Sequence, residues 1–183
     1  MIPWLLIWGL VGSLGAVVAP RDLSNWLPAK LGPEEILVNA DHRPGDQNLP
    51  SVSCFGNHFV VSYGGQQASR DGSGVSVAWI EAGEDGVTKS LSVDPDGKGE
   101  QWSASVASGE EDAVVVWADG EGDEDGYGVR MRRVLLSGDE PTGSLLVNGY
   151  QQGGQWQPAV TRLADRSLVV VWSSFFQDES GFA

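Results

Sequence analysis

Beyond residue 34 the chain alternates between short apolar runs and turns that are rich in Gly, Asp and Ser. The runs consist mainly of Val, Leu, Ala and an aromatic residue, as in VVVW at 114–117 and LVVVW at 168–172. β-Branched and aromatic residues suit the pleated surface of a strand, and a continuous apolar run indicates a strand that is buried on both faces. Short connections favour antiparallel meanders, and no stretch requires a helix. The pattern therefore predicts an all-β protein.

The same pattern recurs along the chain with a period of 54 residues. A Gly-x-Gln triplet occurs at 45–47, 99–101 and 153–155. After each triplet come a strand, a turn and a second apolar run, which ends in an aromatic residue: Tyr63, Trp117 and Trp172. A fixed period of this length is typical of repeated supersecondary units, and each unit here divides into about four strands.

The period defines three tandem copies, at 34–88, 89–142 and 143–183, of which the third is truncated. Tandem four-stranded antiparallel units of this size are typical of propeller blades. We therefore predict a β-propeller-like fold of about 2.75 blades, which is incomplete because a propeller usually closes with at least about four. A piece of a longer protein, an incomplete gene product and an open array are the alternatives. We favour the first, since an open array leaves sheet edges that invite aggregation.

The N-terminal segment differs in composition from the repeats. Residues 2–19 contain no charged residue, and small residues such as Ala16 and Ala19 follow the apolar run. This pattern resembles a signal peptide, and its length also allows an uncleaved signal anchor. We interpret 1–19 as a signal peptide or signal anchor and the Pro-containing segment 20–33 as a linker. The protein is therefore expected to be secreted or at the cell surface, with an uncleaved N-terminal segment as its membrane contact.

Charge limits the choice of partner. The chain has 11 Lys and Arg against 25 Asp and Glu, which gives a formal net charge of −14 at pH 7. Nucleic-acid binding relies on basic side chains that neutralise phosphates, so we expect no nucleic-acid partner. Excess carboxylate instead suits solubility or the binding of divalent cations. Cys54 is the single cysteine of the sequence, which excludes an internal disulfide.

The third copy, GGQWQPAVTRLADRSLVVVWSSFFQDESGFA, resembles a tandem repeat of very large exported bacterial proteins. The unit of that family reads roughly Val-Asn, Gly-Asp-Gln-x-x-Pro-x-Val, a VVVW strand and Asp-Gly-x-Gly, and it sits beside calcium-binding RTX or cadherin-like modules. The resemblance covers about residues 35–183 and is weakest in the second copy, where Ala104 replaces the Pro and Asp94 the Asn. It implies a β-propeller-like fold and an extracellular setting, and it carries no catalytic residue to this chain.

An acidic loop after Trp117 is the candidate metal site. Carboxylates alternate along it: Asp119, Glu121, Asp123 and Asp125. Counted from Glu121, the spacing matches the opening of an EF-hand loop, since hard carboxylate oxygens at alternate positions can surround Ca²⁺. The closing Glu of such a loop is missing, because Arg132 takes its place. The alternative is a solvated acidic loop that basic residues of the next strand partly neutralise.

Two tryptophans are candidate ligand-stacking residues. Trp102 and Trp156 occupy equivalent places, each directly after the Gln of the triplet. An exposed indole there would offer a platform for a planar ligand or a sugar face. Packing of each Trp over the neighbouring blade is the alternative. The repeated Gln side chains are expected to bond backbone groups within the blade: Gln47, Gln101 and Gln155.

No set of residues resembles an active site. Cys54 and His58 lack a third group that would orient them, and no serine lies in a Gly-x-Ser-x-Gly elbow. We therefore predict a non-enzymatic extracellular module for adhesion, ligand binding or spacing, with calcium as the one candidate cofactor and a protein or carbohydrate as ligand. The second hypothesis is a fragment of a propeller-fold enzyme, such as a glycoside hydrolase or a sialidase-like protein. Its active-site residues would break the repeat at one end of the blades.

Overall fold

The structure is a computed structural model that describes residues 36–39, 46–66, 72–82, 86–95, 98–123, 125–138 and 143–177, together with the backbone of 5–10 and 13–18. These parts form antiparallel β-sheets and contain no helix, which confirms the predicted all-β class. Accordingly, the described residues form no helix that is long and apolar enough to cross a membrane.

The N-terminal sheet contains β1 (Leu5–Leu10), β2 (Ser13–Val18) and the short β3 (Ile36–Leu37), in that order. β1 and β2 form an antiparallel hairpin, and β3 pairs with β2. The hairpin lies inside the segment for which the sequence predicts a signal peptide or signal anchor, and that assignment stays a prediction. The predicted linker at 20–33 lies outside the described residues.

Two complete four-stranded sheets follow, and a third begins. Blade 1 consists of β4 (Gln47–Phe55), β5 (His58–Gln66), β6 (Ser73–Glu81) and β7 (Val87–Ser92). Blade 2 consists of β8 (Gln101–Ser108), β9 (Asp112–Asp123), β10 (Gly126–Leu135) and β11 (Leu145–Leu146). Blade 3 has β12 (Gln155–Arg162) and β13 (Leu168–Ser174) in the described part. Within each blade, each strand pairs antiparallel with its neighbour in sequence, so the described part of the fold is a β-propeller-like array of tandem blades.

Strand pairing places the boundary between sheets one strand later than the sequence period does. The apolar segment with which each predicted copy begins is the last strand of the preceding sheet: β3 pairs with β2, and β11 pairs with β10. A repeat in sequence has no intrinsic starting point, whereas hydrogen bonding defines where a sheet ends. Each sequence copy therefore contributes its first strand to the preceding sheet and its other strands to the next one.

The larger apolar core lies between blades 1 and 2. Its buried side chains come from both blades and from the segment that joins them: Val60, Val75, Val77, Trp79, Val93, Ala104, Val106, Ala113, Val115, Trp117 and Val134. The VVVW run of β9 is buried throughout, as the continuous apolar pattern predicts. The same four residues of β13 are only partly covered, and Val171 is 57% exposed, because no blade follows blade 3 in the described part.

The first strands of the three blades are held to one another by repeated serine hydroxyls. Ser51 Oγ accepts a hydrogen bond from the Val106 amide (3.4 Å), and Ser105 Oγ, one period on, accepts one from the Val160 amide (3.2 Å). The same contact in the same register joins blade 1 to blade 2 and blade 2 to blade 3. Successive blades are therefore placed in equivalent positions.

Each first strand also carries a β-bulge at the same place. The bulged residues have positive φ angles of 50°, 53° and 50°: Leu49, Ser103 and Gln157. Left-handed backbone is unfavourable for residues that have a side chain, so its recurrence at one position marks a fixed feature of the unit. A bulge re-aims neighbouring side chains. In blades 2 and 3 the residue directly before the bulge is Trp102 or Trp156.

Candidate ligand-binding cleft

A cleft of about 400 Å³ lies between blades 1 and 2, at the end of the sheets where β4 and β8 begin. It is lined by residues of blade 1 and by two residues at the start of blade 2: Asp46, Asn48, Gly65, Gln66, Gly72, Ser73, Glu100 and Trp102. The cleft is therefore a property of the contact between two blades. We call this contact the first junction.

Trp102 supplies the aromatic part of the lining. Its side chain is half-buried, and it stands directly before the bulge at Ser103. A half-buried indole that borders a cavity keeps apolar surface available for contact with a ligand. The structure therefore places one of the two candidate stacking residues in a cleft.

Hydrogen bonds fix the polar side of the cleft. Ser73 Oγ donates to Glu100 Oε2 (2.6 Å) and accepts a hydrogen bond from the Gln101 amide (3.2 Å). These bonds connect the start of β6 in blade 1 to the start of β8 in blade 2. The other carboxylate oxygen of Glu100 lies beside Gly72, where an added Cβ would be 3.3 Å from it. A glycine at this place leaves that oxygen uncovered.

The equivalent space between blades 2 and 3, which we call the second junction, is filled by aromatic rings. The rings of Tyr127 and Trp156 have centroids 3.8 Å apart and planes inclined by 33°. Trp156 is the counterpart of Trp102, and Tyr127 is the counterpart of Ser73, each 54 residues further on. One repeated indole thus packs against a ring of the neighbouring blade, while the other borders a cavity.

Gly120 makes room for the ring of Tyr127 at the second junction. A Cβ at this position would lie 3.3 Å from the ring and 3.2 Å from the Glu100 carbonyl oxygen. The counterpart of Gly120 in blade 1 is Gln66, whose side chain is exposed and borders the cleft. The size of the side chain at two positions therefore distinguishes the open junction from the filled one.

The repeated Gln side chains join neighbouring sheets as well as local groups. Each bonds an Asn or Asp that follows the last strand of the preceding sheet: Gln47 with Asn39, Gln101 with Asp94, and Gln155 with Asn148. The expected bonding within the blade is also present in the third copy, where Gln155 Nε2 donates to the Gly153 carbonyl (3.0 Å). The link between sheets was not predicted, because the period does not show which groups of neighbouring sheets meet.

Asp94 brings a negative charge into one of these links, where the other two copies have Asn. Gln101 Nε2 lies 3.4 Å from Asp94 Oδ2 and 3.2 Å from Asp119 Oδ2. Burial and the nearby Asp119 carboxylate raise the pKa of Asp94, against the opposite effects of Arg132, Arg130 and Ser144. The charged form of Asp94 is therefore disfavoured in the folded protein.

Asp119, the first residue of the predicted calcium loop, is bound by protein groups. It is 3% exposed and accepts hydrogen bonds from the Gln101 side chain (3.2 Å) and the Trp117 indole (3.2 Å) at Oδ2. Its Oδ1 accepts one from the Glu121 amide (3.1 Å), while the Glu121 side chain is exposed. Asp119 therefore serves as an internal anchor of blade 2.

The remaining acidic residues of the loop also bond protein groups. Asp123 accepts hydrogen bonds from the Asp125 amide (3.1 Å) and the Asn148 side chain (3.0 Å), and Asp125 accepts one from the Gly153 amide (3.1 Å). Among the described residues no group of three or more acidic, His or Cys side chains is arranged to hold a metal. Calcium binding by the loop stays a prediction, which thermal melts in Ca²⁺ and in EDTA test.

Charged residues that the sequence reasoning missed lie at the opposite end of blades 2 and 3. Asp112 Oδ1 is 2.8 Å from Arg162 Nη1, and Arg133 Nε donates to Asp112 Oδ2. Burial by itself raises the pKa of Asp112, but the hydrogen bonds and charges of Arg162 and Arg133 outweigh it and hold the pKa below its ordinary value. None of the three residues recurs at the equivalent place of another copy. That departure from the repeat is the signal by which they could have been found.

Comparison with known proteins identifies the fold. Neither a protein-family model nor a curated protein matches this chain. Among solved structures the chain is similar to the α-L-arabinofuranosidase from Lactobacillus brevis, with a TM-score of 0.55 and 13% sequence identity. The match covers 98% of this chain and 64% of that enzyme, so the chain spans less than two thirds of its length. At this identity the similarity supports the β-propeller-like class of the fold.

Proposed function

We propose that this protein is an extracellular, non-enzymatic β-propeller-like module that binds carbohydrate at the first junction. One observation carries the proposal: Trp102 borders an open polar cleft, whereas its counterpart Trp156 packs against Tyr127. Two equivalent indoles on one scaffold thus differ in what lies beside them. The one at the cavity lies among hydrogen-bonding groups, as a binding residue requires.

The chemistry of the cleft suits a sugar. A sugar ring presents an apolar face of C–H groups and a rim of hydroxyls. The indole of Trp102 would cover the apolar face, and the side chains of Asn48, Gln66 and Glu100 would bond hydroxyls as acceptors or donors. The volume of about 400 Å³ lies in the range of small-molecule sites.

The extracellular location rests on sequence features. The uncharged N-terminal segment and the resemblance of the repeat to exported bacterial proteins support it. Fractionation of source cells, with detection of the protein outside the cytoplasm, tests this part of the proposal. Recovery of the protein in the cytoplasm alone would contradict it.

Calorimetric titration with neutral oligosaccharides tests binding at the cleft, with cellotetraose and arabinotetraose as first probes. Trp102→Ala should lower the affinity at least about tenfold, because it removes the stacking surface from the binding site. Trp156→Ala is the matched control: it removes an equivalent indole and should leave the affinity unchanged. Failure of the wild-type protein to bind any neutral saccharide, or equal binding by the Trp102→Ala variant, would refute the proposal.

Glycoside hydrolysis is a second candidate function. Its support is that the fold is similar to that of an arabinofuranosidase and that two carboxylates, Asp46 and Glu100, border the same cleft. A glycosidase uses two such groups that flank the bond it cleaves. Release of nitrophenol from nitrophenyl α-L-arabinofuranoside by the wild type, with loss in both Asp46→Asn and Glu100→Gln, would establish hydrolysis. Binding of arabinotetraose without turnover would favour the non-enzymatic proposal.

A further inference from the structure

The lining of the first junction is acidic. Among the described residues that line it, Asp46 and Glu100 carry negative charge, and no described lining residue is Lys, Arg or His. The formal net charge of the chain, −14, has the same sign. A cation that approaches the cleft is therefore attracted by the local carboxylates and by the field of the whole protein, whereas an anion is repelled.

The carboxylate of Glu100 is held in place at the cleft. The hydrogen bond from Ser73 Oγ occupies Oε2 (2.6 Å), while Oε1 lies beside Gly72. The residue itself is exposed, so its charge is in contact with solvent. Because one oxygen is fixed by the protein, the other keeps a defined position for an incoming donor.

An aromatic surface lies in the same cleft. The face of an indole attracts cations through its quadrupole, and Trp is the strongest of the aromatic residues in this respect. Trp102 and the two carboxylates thus combine the two kinds of group that recognise an ammonium ion. At the second junction Gly154 stands at the counterpart of Glu100, and the indole of Trp156 packs against the ring of Tyr127.

We propose that the first junction selects saccharides that carry a protonated amine, such as oligomers of glucosamine, over neutral and anionic saccharides. The inference rests on the proposed carbohydrate-binding function and adds the charge class of the ligand. The sugar ring contacts Trp102, and the ammonium group lies at the carboxylates of Glu100 and Asp46. Added salt weakens this contact, because it screens exposed charges.

Three tetrasaccharides test the proposal against the wild-type protein in calorimetric titrations below the pKa of the amine: the glucosamine tetramer, cellotetraose and the galacturonic acid tetramer. The first two share their linkage and differ at the amine. We expect the glucosamine tetramer to bind about fivefold more tightly than cellotetraose, because an exposed contact between two opposite charges contributes an affinity gain of about that size. The galacturonic acid tetramer should bind most weakly. Glu100→Gln keeps the shape and an acceptor for Ser73, and it should lower the affinity for the glucosamine tetramer more than the affinity for cellotetraose, so that the preference shrinks.

The outcomes separate the two levels of the proposal. If a neutral tetrasaccharide, including arabinotetraose, binds at least as tightly as the glucosamine tetramer, the amine preference is wrong and carbohydrate binding stands. If no saccharide binds, both are wrong. If the glucosamine tetramer binds equally well to Trp102→Ala and to the Asp46→Asn, Glu100→Gln double variant, the attraction lies elsewhere on the acidic surface, and the inference is overturned.

Discussion

The two junctions between blades show that one backbone can hold an open cleft or a filled one. Both carry the same bulge with a Trp directly before it. At the first junction Ser73 and Gln66 border a cavity. At the second, the ring of Tyr127 lies against Gly120 and packs on Trp156. The repeated scaffold sets the position of the indole, and side-chain size at two neighbouring positions decides whether a ligand has room beside it.

The opposite ends of the junctions also differ. At the first, Ser53 and Ser108 are joined by a hydrogen bond between their hydroxyls (2.9 Å). At the second, Arg162 of β12 forms an ion pair with Asp112 of β9 (2.8 Å). A neutral hydrogen bond depends little on pH, whereas a buried carboxylate paired with arginine makes stability depend on pH. At this end, therefore, the stability of the second junction depends on a charged pair, whereas that of the first depends on a neutral hydrogen bond.

The largest effect on stability is expected at the ion pair of the second junction. Asp112→Asn leaves Arg162 and Arg133 without their carboxylate and should lower the free energy of unfolding by about 2 to 3 kcal/mol at pH 7. This loss is smaller than the loss on breaking a fully buried pair, because Arg133 is half-exposed. Ser108→Ala, the control at the first junction, should cost about 1 kcal/mol or less. Urea denaturation measures both, and equal losses would contradict the contrast.

The same pair predicts how stability depends on pH. The folded pKa of Asp112 is lower than the ordinary 3.8, so its contribution is complete above that value and is lost as the pH falls through the folded pKa. The difference between wild type and Asp112→Asn should therefore be constant near neutrality and shrink below pH 3.8. A difference that persists unchanged in acid would show that the charge of Asp112 is not responsible.

The next largest effect concerns the filling of the second junction. Tyr127→Ser places there the residue of the first junction and should lower the free energy of unfolding by about 2 kcal/mol, because a ring contact and buried apolar surface are lost. Tyr127→Phe keeps the ring and is the matched control, with little expected change. Thermal melts of the three proteins compare them. A melt of Tyr127→Ser that overlays the wild type would mean that the ring pair does not stabilise this junction.

The converse substitution should close the first junction. Ser73→Tyr introduces at the first junction the ring that fills the second one. Together with Gln66→Gly it gives the first junction the same residues as the second at both positions that distinguish them. We expect the affinity for cellotetraose to fall at least about tenfold, which corresponds to about 1.4 kcal/mol. Ser73→Ala also removes the hydrogen bonds of Ser73 but leaves the space open, so it should lower the affinity much less than the filled double variant does. Binding that survives in the filled double variant would place the ligand outside this cleft.

The smallest effect is expected at Asp94, where the first junction departs from the Asn of the other copies. Its raised pKa means that the charged form costs stability, and this cost is absent below 3.8 and appears as the pH rises through the folded pKa. Asp94→Asn should therefore stabilise the protein at pH 7, by about 0.5 to 1 kcal/mol because the group is only half-buried, and not at pH 3. Asn39→Asp should act in the opposite direction. Destabilisation by Asp94→Asn at pH 7 would contradict this account.

Much of the fold could be predicted from the sequence, because strands and turns leave a local pattern. The VVVW run at 114–117 identified a strand buried on both faces, and the 54-residue period identified equivalent units. The limits of the sheets could not be predicted in this way. Whether the segment around Leu145 begins one blade or ends another depends on pairing with β10, which lies in a different part of the sequence.

The candidate sites show the same limit. Alternate carboxylates at 119–125 match a calcium loop by spacing, but the spacing does not show that Asp123 bonds the Asn148 side chain and Asp125 the Gly153 amide, 25 and 28 positions further on. Trp102 and Trp156 are equivalent in sequence, so the sequence could not show that one borders a cavity and the other packs against Tyr127. The link between Asp112 and Arg162 joins residues that are 50 positions apart.

The sequence by itself therefore determined the strand class, the repeat and the places of the two repeated tryptophans, because each of these depends on residues close together along the chain. Tertiary structure decided which of the two indoles borders a cavity, since that depends on whether a neighbouring blade presents Ser73 or Tyr127 to it. Contacts between sheets are made by side chains that are distant in sequence and adjacent in space, so a binding site between blades becomes visible only when the sheets are packed together.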